Sequence, residues 1–145
     1  LKQGVEMSEL KHAGCLCGCV KISVEQVKPD VSACHCESCR HWGGGPLLAV
    51  QCGTQVSFEG SEHIKEYDSS AWAKRGFCQE CGTHLYFHFK KAGTYNMPVG
   101  IFSNLDNLNM TIQYYTDKRP DYYCFSQSTT EMTEAEILTY FASEI

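Results

Sequence analysis

The sequence predicts a mainly β protein that folds as a single domain. Its 145 residues suit one hydrophobic core, and a hydrophobic content of 43% is typical of a globular protein. Short segments in which apolar and polar residues alternate recur along most of the chain, as expected for half-buried strands. Helix signals occur only at the C-terminus. Together these observations place the chain in the mainly β class.

The strand signals follow one another from residue 20 to residue 115. In the first strand, Val20, Ile22 and Val24 alternate with polar residues, and Pro29-Asp30 ends it. Segment 84–90 shows the same alternation. The other predicted strands are 47–50, 56–58, 64–67, 95–102 and 110–115, the last two separated by a polar turn at 104–107.

One helix is predicted, near the C-terminus. Thr133 and Glu136 have the spacing of a capping box, in which both side chains satisfy free backbone N–H groups at the start of a helix, and apolar residues follow at 137–141. Segment 42–46, Trp-Gly-Gly-Gly-Pro, is predicted as a flexible loop, because glycine and proline interrupt regular structure.

Seven of the ten cysteines lie in three clusters with the spacing of metal ligands. Thiolates are preferred donors for tetrahedral zinc, and ligands close in sequence are gathered at little cost in loop entropy. The two pairs make one closed four-sulfur site, and the triple makes a second site with an open position, so two zinc ions are expected. The clusters are the pair Cys15 and Cys17, the triple Cys34, Cys36 and Cys39, and the pair Cys78 and Cys81.

Disulfide bonds are the alternative that ten cysteines raise. Three observations disfavour them. Residues Leu1 to Gly14 lack the apolar core of a signal peptide, and a C-x-C pair closes a strained ring as a disulfide. A chain of this length also builds a core without covalent crosslinks. We therefore expect a cytoplasmic zinc protein, with residues 1–13 an N-terminal extension or processing remnant and residues 14–145 the zinc-binding domain.

Gly18 and Gly82 each follow one of the cysteine pairs and precede a predicted strand. A metal knuckle turns the backbone so that its N–H groups point at the sulfurs, which favours positive φ at these positions. The two knuckles, clamped by one zinc, would couple metal binding to folding.

Spacing alone leaves two interpretations of the cysteine triple. In the first, the open position on zinc captures a small thiol and lowers its pKa, so that it becomes a thiolate nucleophile. In the second, a fourth protein ligand closes the site, which is then structural. The candidates for that ligand are Cys19, Cys52, Cys124, His35 and His41.

Arg40, Trp42 and Gly44 are predicted substrate contacts. A guanidinium and an aromatic wall suit a substrate carboxylate, and a glycine run lets a ligand approach backbone amides. The alternative is a core tryptophan, a solvated arginine and a plain loop. His35 is expected to be exposed, with a hydrogen bond to a metal ligand as the alternative. Packing accounts for His84 and His88, and unless one of them closes the second site, Cys19, Cys52 and Cys124 are expected to be buried apolar residues.

Charge and hydropathy exclude two classes of partner. The formal charge of −5 becomes more negative when thiolates bind zinc, and no Lys/Arg cluster offsets it, so nucleic acid is not an expected partner. No apolar run approaches the length of a membrane span, so no membrane partner is expected either.

Segments 14–20, 34–40 and 77–85 resemble the glutathione-dependent formaldehyde-activating enzyme family in the order, spacing and flanking glycines of their cysteines. Segments 99–106 and 118–122 are similar to weaker signatures of that family. The resemblance implies twisted antiparallel sheets, a structural zinc on the two pairs and a catalytic zinc on the triple. It also implies an activity that joins glutathione to formaldehyde as S-(hydroxymethyl)glutathione, formally a carbon–sulfur lyase running in reverse.

Two functions thus compete at the level of sequence. One is an enzyme in which a zinc-bound thiol, such as glutathione, attacks an aldehyde carbonyl. The other is a non-catalytic zinc module that binds a protein partner, with both zincs structural. A methionine sulfoxide reductase is disfavoured, because that fold usually carries C-x2-C twice, whereas here the first pair is C-x-C and a further triple is present.

Overall fold

In the computed structural model, residues 9–145 are described and form eleven strands and two short α-helices, which confirms the mainly β class. Most of the predicted N-terminal extension, residues 1–8, lies outside the described residues, and β1 begins inside the rest of it. The elements are β1 (Lys11–Gly14), β2 (Lys21–Val24), β3 (Asp30–Cys34), α1 (Glu37–Gly43), β4 (Leu47–Gly53), β5 (Val56–Glu59), β6 (Ile64–Tyr67), β7 (Ala73–Cys78), β8 (His84–Phe89), β9 (Tyr95–Pro98), β10 (Asn109–Tyr114), β11 (Thr130–Met132) and α2 (Glu134–Tyr140).

The strands form two sheets. The smaller has the order β1-β2-β5, and the larger has the order β11-β10-β3-β4-β9-β8-β7-β6. Strand β10 pairs in parallel with both β3 and β11, whereas the other pairings are antiparallel. Parallel neighbours require a long crossover, and the chain between β3 and β10 supplies one. The family resemblance implied antiparallel sheets. That prediction holds for the other strand pairs, but the parallel pairs of β10 make the larger sheet mixed.

The core lies between the two sheets. Alternation along β2 buries Ile22 and Val24 and leaves Lys21 exposed, as the sequence predicted. Both apolar side chains belong to one buried cluster with Leu85 of β8 and Met97 of β9. The smaller sheet therefore covers one face of the larger sheet and anchors the turn that carries the first cysteine pair.

Helix α1 includes Trp42 and Gly43, which corrects the first two residues of the loop predicted at 42–46, whereas residues 44–46 lack regular structure as predicted. The Sγ of Cys36 caps the helix by accepting the backbone N–H of Cys39, and Gly44 ends it at φ +85° by donating its N–H to the Arg40 carbonyl. A cysteine is not a usual N-cap, so capping rules did not mark this helix. The middle cysteine of the triple consequently lies at a helix N-terminus.

The C-terminal helix is confirmed. The Glu136 backbone N–H donates to Thr133 Oγ1, and the Thr133 backbone N–H donates to Glu136 Oε1, so the predicted capping box is complete. Neither helix within residues 9–145 has the length and apolar character needed to cross a membrane.

Gly60 is a position where no other residue fits. It adopts φ +80°, and a Cβ there would lie 1.9 Å from the carbonyl oxygen of Cys19. We expect Gly60→Ala to lower the free energy of unfolding by at least about 2 kcal/mol, because strained φ and a backbone collision act together. Urea unfolding measures this. Gly100→Ala is the control, since its Cβ would meet open space, and equal stability of the two variants would contradict the prediction.

Candidate metal centres

Cys15, Cys17, Cys78 and Cys81 come together as one cluster whose Sγ atoms all lie within 4.8 Å of one another. The Sγ of Cys17 is 3.6 Å from that of Cys15 and 3.8 Å from that of Cys78. Sulfurs 2.3 Å from a tetrahedral zinc are separated by about 3.8 Å, so the donor set fits this metal. All four cysteines are free thiols, and the pairs meet as the sequence predicted.

The two turns that hold these cysteines are built as metal knuckles. Gly18 and Gly82 adopt φ +83° and +81°, which confirms the predicted positive φ at both positions. The Val20 backbone N–H donates to Cys15 Sγ at 3.3 Å, and Thr83 Oγ1 lies 3.2 Å from Cys81 Sγ. Hydrogen bonds from the Thr83 side chain and backbone lower the pKa of the Cys81 thiol to about 5. Thr83 thus favours the thiolate form of Cys81 before any metal binds.

One further hydrogen bond joins the knuckles directly. The Leu16 backbone N–H donates to Thr83 Oγ1 at 3.0 Å. Cys15 and Cys17 follow β1 of the smaller sheet, whereas Cys78 ends β7 of the larger sheet. A metal held by the four sulfurs would therefore connect the two sheets.

Cys34, Cys36 and Cys39 form a second cluster, again with Sγ atoms within 4.8 Å of one another. Cys34 ends β3, Cys36 caps α1, and Cys39 lies in the first turn of that helix. Hydrogen bonds from the thiols of Cys34 and Cys39 and from the Cys39 backbone hold the pKa of Cys36 well below its usual range. Cys36 therefore holds its thiolate form at the expense of Cys34 and Cys39, whose pKa values the neighbouring cysteines and burial raise.

Within residues 9–145, no fourth histidine, cysteine, aspartate or glutamate joins this cluster. None of the five candidate fourth ligands therefore closes the site. The three sulfurs suit zinc chemically, and a tetrahedral metal on them would keep one position for another ligand.

His35 is fully buried, with 0% exposure, so the prediction of an exposed histidine is wrong. Its backbone N–H donates to the carbonyl of Tyr114, because β3 and β10 are neighbours, and its ring lies 5.4 Å from that of Tyr123. Both ring nitrogens are bonded: Nδ1 to Tyr123 Oη and Nε2 to Gln113 Oε1, each at 2.7 Å. The ring of His35, the residue between Cys34 and Cys36, is thus held by a hydrogen bond at each nitrogen.

The partners of Gln113 determine the His35 tautomer. Arg119 Nη1 can only donate, and it lies 2.9 Å from Gln113 Oε1, so the amide presents its oxygen to both Arg119 and His35. His35 Nε2 therefore carries the proton, and Nδ1 accepts a hydrogen bond from Tyr123. Burial lowers the pKa of His35, which keeps the ring neutral in this network.

Arg75 is the site residue that sequence reasoning missed. It lies on β7, is 4% exposed, and places Nη2 3.6 Å from the Sγ of Cys39. Its guanidinium carbon lies 4.9 Å from the ring centroid of Phe87 and 5.8 Å from that of Trp42. The segment Ala-Lys-Arg-Gly lacks strand alternation, so no local signal marks a buried arginine there.

A cleft of about 920 Å³ opens beside the triple, with Cys34 and Cys39 in its lining. Its floor comes from strands β3, β4, β8, β9 and β10, and one wall comes from α2 and the residues after it. Many of its lining side chains are aromatic: Trp72, Phe87, Phe89, Tyr95, Tyr114, Tyr115, Tyr140 and Phe141.

The predicted substrate contacts do not line this cleft. Arg40 donates through Nε to the His35 carbonyl at 3.0 Å, and Trp42 stacks on His84 with ring centroids 4.2 Å apart. Gly44 ends α1. Their positions match the alternative of local structural roles, and substrate contact by Arg40, Trp42 and Gly44 stays a prediction.

The residues expected to have packing roles differ in burial. His84 and His88 stack on aromatic rings, the second on Tyr95 at 3.9 Å, and Cys52 is buried, as predicted. Cys19 is half-buried. Cys124 is exposed, so the prediction of burial is wrong for it, because it lies in irregular chain between β10 and β11.

These features define a mainly β protein with two cysteine clusters that could hold metal ions. Residues 10–118 match the model of the glutathione-dependent formaldehyde-activating enzyme family, and the chain belongs to that family. It is 34% identical over 128 residues to an uncharacterized lyase of Schizosaccharomyces pombe, covering 88% of this chain and 93% of the relative. It also matches the crystal structure of a Rhodobacter sphaeroides protein with a TM-score of 0.54 and 25% identity, covering 66% of this chain and 91% of that one.

We expect Cys78→Ser to lose the metal of the four-cysteine cluster and several kcal/mol of unfolding free energy, because binding of a structural metal contributes directly to folding. Elemental analysis and thermal unfolding measure both effects. Cys124→Ser, at an exposed cysteine outside both clusters, is the matched control and should behave as the parent. A Cys78→Ser protein that melts with the parent would contradict the structural assignment.

Proposed function

We propose that the protein is a zinc-dependent carbon–sulfur lyase that, in the synthetic direction, joins a small thiol such as glutathione to an aldehyde such as formaldehyde. The observation that carries this proposal is the cysteine triple, which has three sulfurs within 4.8 Å and opens into the large cleft. Membership of the family and the name of the yeast relative, a lyase, support the same class of reaction.

The proposed reaction balances without an oxidant or reductant. A carbon–sulfur bond forms between the thiol sulfur and the aldehyde carbon, and the thiol proton moves to the carbonyl oxygen, which becomes a hydroxyl. The reverse breaks the same bond. Zinc on the three sulfurs would supply a Lewis acid that lowers the pKa of a thiol at its open position.

The cleft suits a substrate larger than formaldehyde. Ligand sites commonly measure about 300–1,000 Å³ and are lined mainly by apolar and aromatic side chains with a few polar groups. At about 920 Å³ the cleft lies within that range. We infer that the thiol occupies most of it, with its sulfur toward Cys34 and Cys39 and the aldehyde entering beside that sulfur.

Tyr115 is the residue that we propose donates a hydrogen bond to the developing alkoxide. It lines the cleft with Cys34 and Cys39 and holds φ +58°, an uncommon conformation for a bulky residue that suggests a functional constraint. Burial and the negative charge of the thiolates raise the pKa of Tyr115 to about 12. The hydroxyl therefore stays protonated and available as a donor.

Cobalt in place of zinc at the triple tests the proposed function. Glutathione should change the sulfur-to-cobalt charge-transfer bands, and formaldehyde added afterwards should be consumed faster than in enzyme-free glutathione. Cys36→Ser is the control variant, expected to lose this second metal and both responses while its far-UV circular dichroism stays near that of the parent.

Three outcomes of this titration have different meanings. No spectral change with any small thiol would contradict the proposed function and favour a zinc module that binds a protein partner. A response to other thiols but not to glutathione would retain the reaction class and replace the substrate. Consumption of formaldehyde no faster than in the enzyme-free control would contradict the lyase assignment.

Tyr115→Phe should lower kcat by about 100-fold, the usual effect of losing one donor to an oxyanion, with zinc content and thiol binding unchanged. Tyr114→Phe is the matched control, because Tyr114 is its neighbour and also lines the cleft. Parent-like kcat in Tyr115→Phe, or an equal loss in both variants, would show that Tyr115 is not the donor.

A further inference from the structure

Arg75 carries a buried positive charge with no carboxylate partner among residues 9–145. Every ion pair found in this part of the chain involves other cations, and the guanidinium's one hydrogen bond is to Cys39 Sγ. Removing a charge from water is costly unless an opposite charge compensates it. The group in contact with the guanidinium that can do so is the sulfur of Cys39, a member of the cysteine triple.

We propose that Arg75 is the counter-cation of the cysteine triple and that its charge allows a fourth, anionic thiolate to bind there. The second half of this inference rests on the proposed function. Three thiolates and a divalent metal sum to −1, and the guanidinium brings the cluster to neutrality. An entering thiolate then meets a neutral assembly instead of an anionic one, which lowers the electrostatic cost of its binding.

The surroundings of Arg75 fix its position. Its guanidinium lies over the rings of Phe87 and Trp42, and Trp42 is held in turn by stacking on His84 and by an edge contact with Phe77 at 5.7 Å. Planar guanidinium groups stack on aromatic faces better than ammonium groups do. The aromatic contacts therefore hold the guanidinium beside Cys39. Neither ring carries a negative charge that would compete with the thiolates for it.

His84, which stacks on Trp42, does not supply a second positive charge beside the triple. Burial, together with the positive charge of Arg75, lowers the pKa of His84, so that its ring is neutral. Arg40 also lies near the triple, but its Nε donates to the His35 carbonyl, whereas Arg75 donates directly to the sulfur of Cys39. Arg75 is thus the positioning residue whose loss should change the charge of the cluster most.

The test uses full-length protein with zinc in the four-cysteine cluster and cobalt in the triple. We compare the parent with Arg75→Gln and Arg75→Met, and with Arg75→Lys, which keeps the charge. Lys74→Gln is the matched control, because Lys74 is the preceding residue on β7 and is half-buried, with its ammonium 3.9 Å from Glu66 and not beside the triple. Chelator competition gives the cobalt affinity, and charge-transfer bands give the affinities for glutathione and for imidazole.

We expect Arg75→Gln and Arg75→Met to weaken cobalt binding and glutathione binding by at least about tenfold each, the size of a charge-assisted hydrogen bond. Imidazole is neutral, so its binding should change much less than that of the thiolate, a difference that a merely structural role would not produce. Arg75→Lys should recover most of the thiolate affinity, and Lys74→Gln should match the parent.

The inference and the proposed function can fail separately. Parent-like cobalt and glutathione affinities in Arg75→Met would overturn the inference while the proposed function stands, as would an equal loss of imidazole and glutathione binding. A parent that binds cobalt but no thiol would overturn the proposed function, and its cobalt affinity would still test the counter-cation. Should Arg75→Gln not fold, Arg75→Met decides, because its apolar side chain fills the space between the two rings.

Discussion

The junction between the two cysteine pairs is the constraint on which the rest of the structure depends. Cys15 and Cys17 follow the first strand of the smaller sheet, and Cys78 and Cys81 lie at the turn between β7 and β8 of the larger sheet. The chain between the pairs contains the cysteine triple. A metal at the junction would therefore fix the ends of the segment that carries the triple, and its binding free energy would be part of the folding free energy.

The fold could be predicted where a local signal is strong. Alternation in β2, the capping box of α2, and the glycines after the cysteine pairs each depend on residues within a few positions of one another. Helix α1 and strands such as β7 were missed because their sequences lack such signals: a cysteine caps the helix, and β7 is buried along most of its length. Pairing between strands distant in sequence determined those elements, and it also determined the parallel register of β10.

The same division applies to the site. The ligand set could be predicted because metal spacing is local, but the environment of the triple comes from distant strands. Arg75 reaches Cys39 across 36 positions of sequence, and His35 is fixed by Gln113 and Tyr123, which lie 78 and 88 positions away. Neither arrangement leaves a periodic pattern in the chain. Sequence thus indicates which atoms could bind a metal, whereas the tertiary structure determines the charge and rigidity around them.

The segment after residue 118 lies beyond the family match, yet it forms part of the triple's surroundings. Tyr123 bonds to the His35 ring, Arg119 sets the orientation of the Gln113 amide, and α2 forms one wall of the cleft. The shared part of the chain therefore provides the cysteines that could hold metal ions. The C-terminal part adds one wall to a cleft whose floor comes from the shared strands, so sequence changes in this segment would alter the shape of the cleft without touching the cysteines.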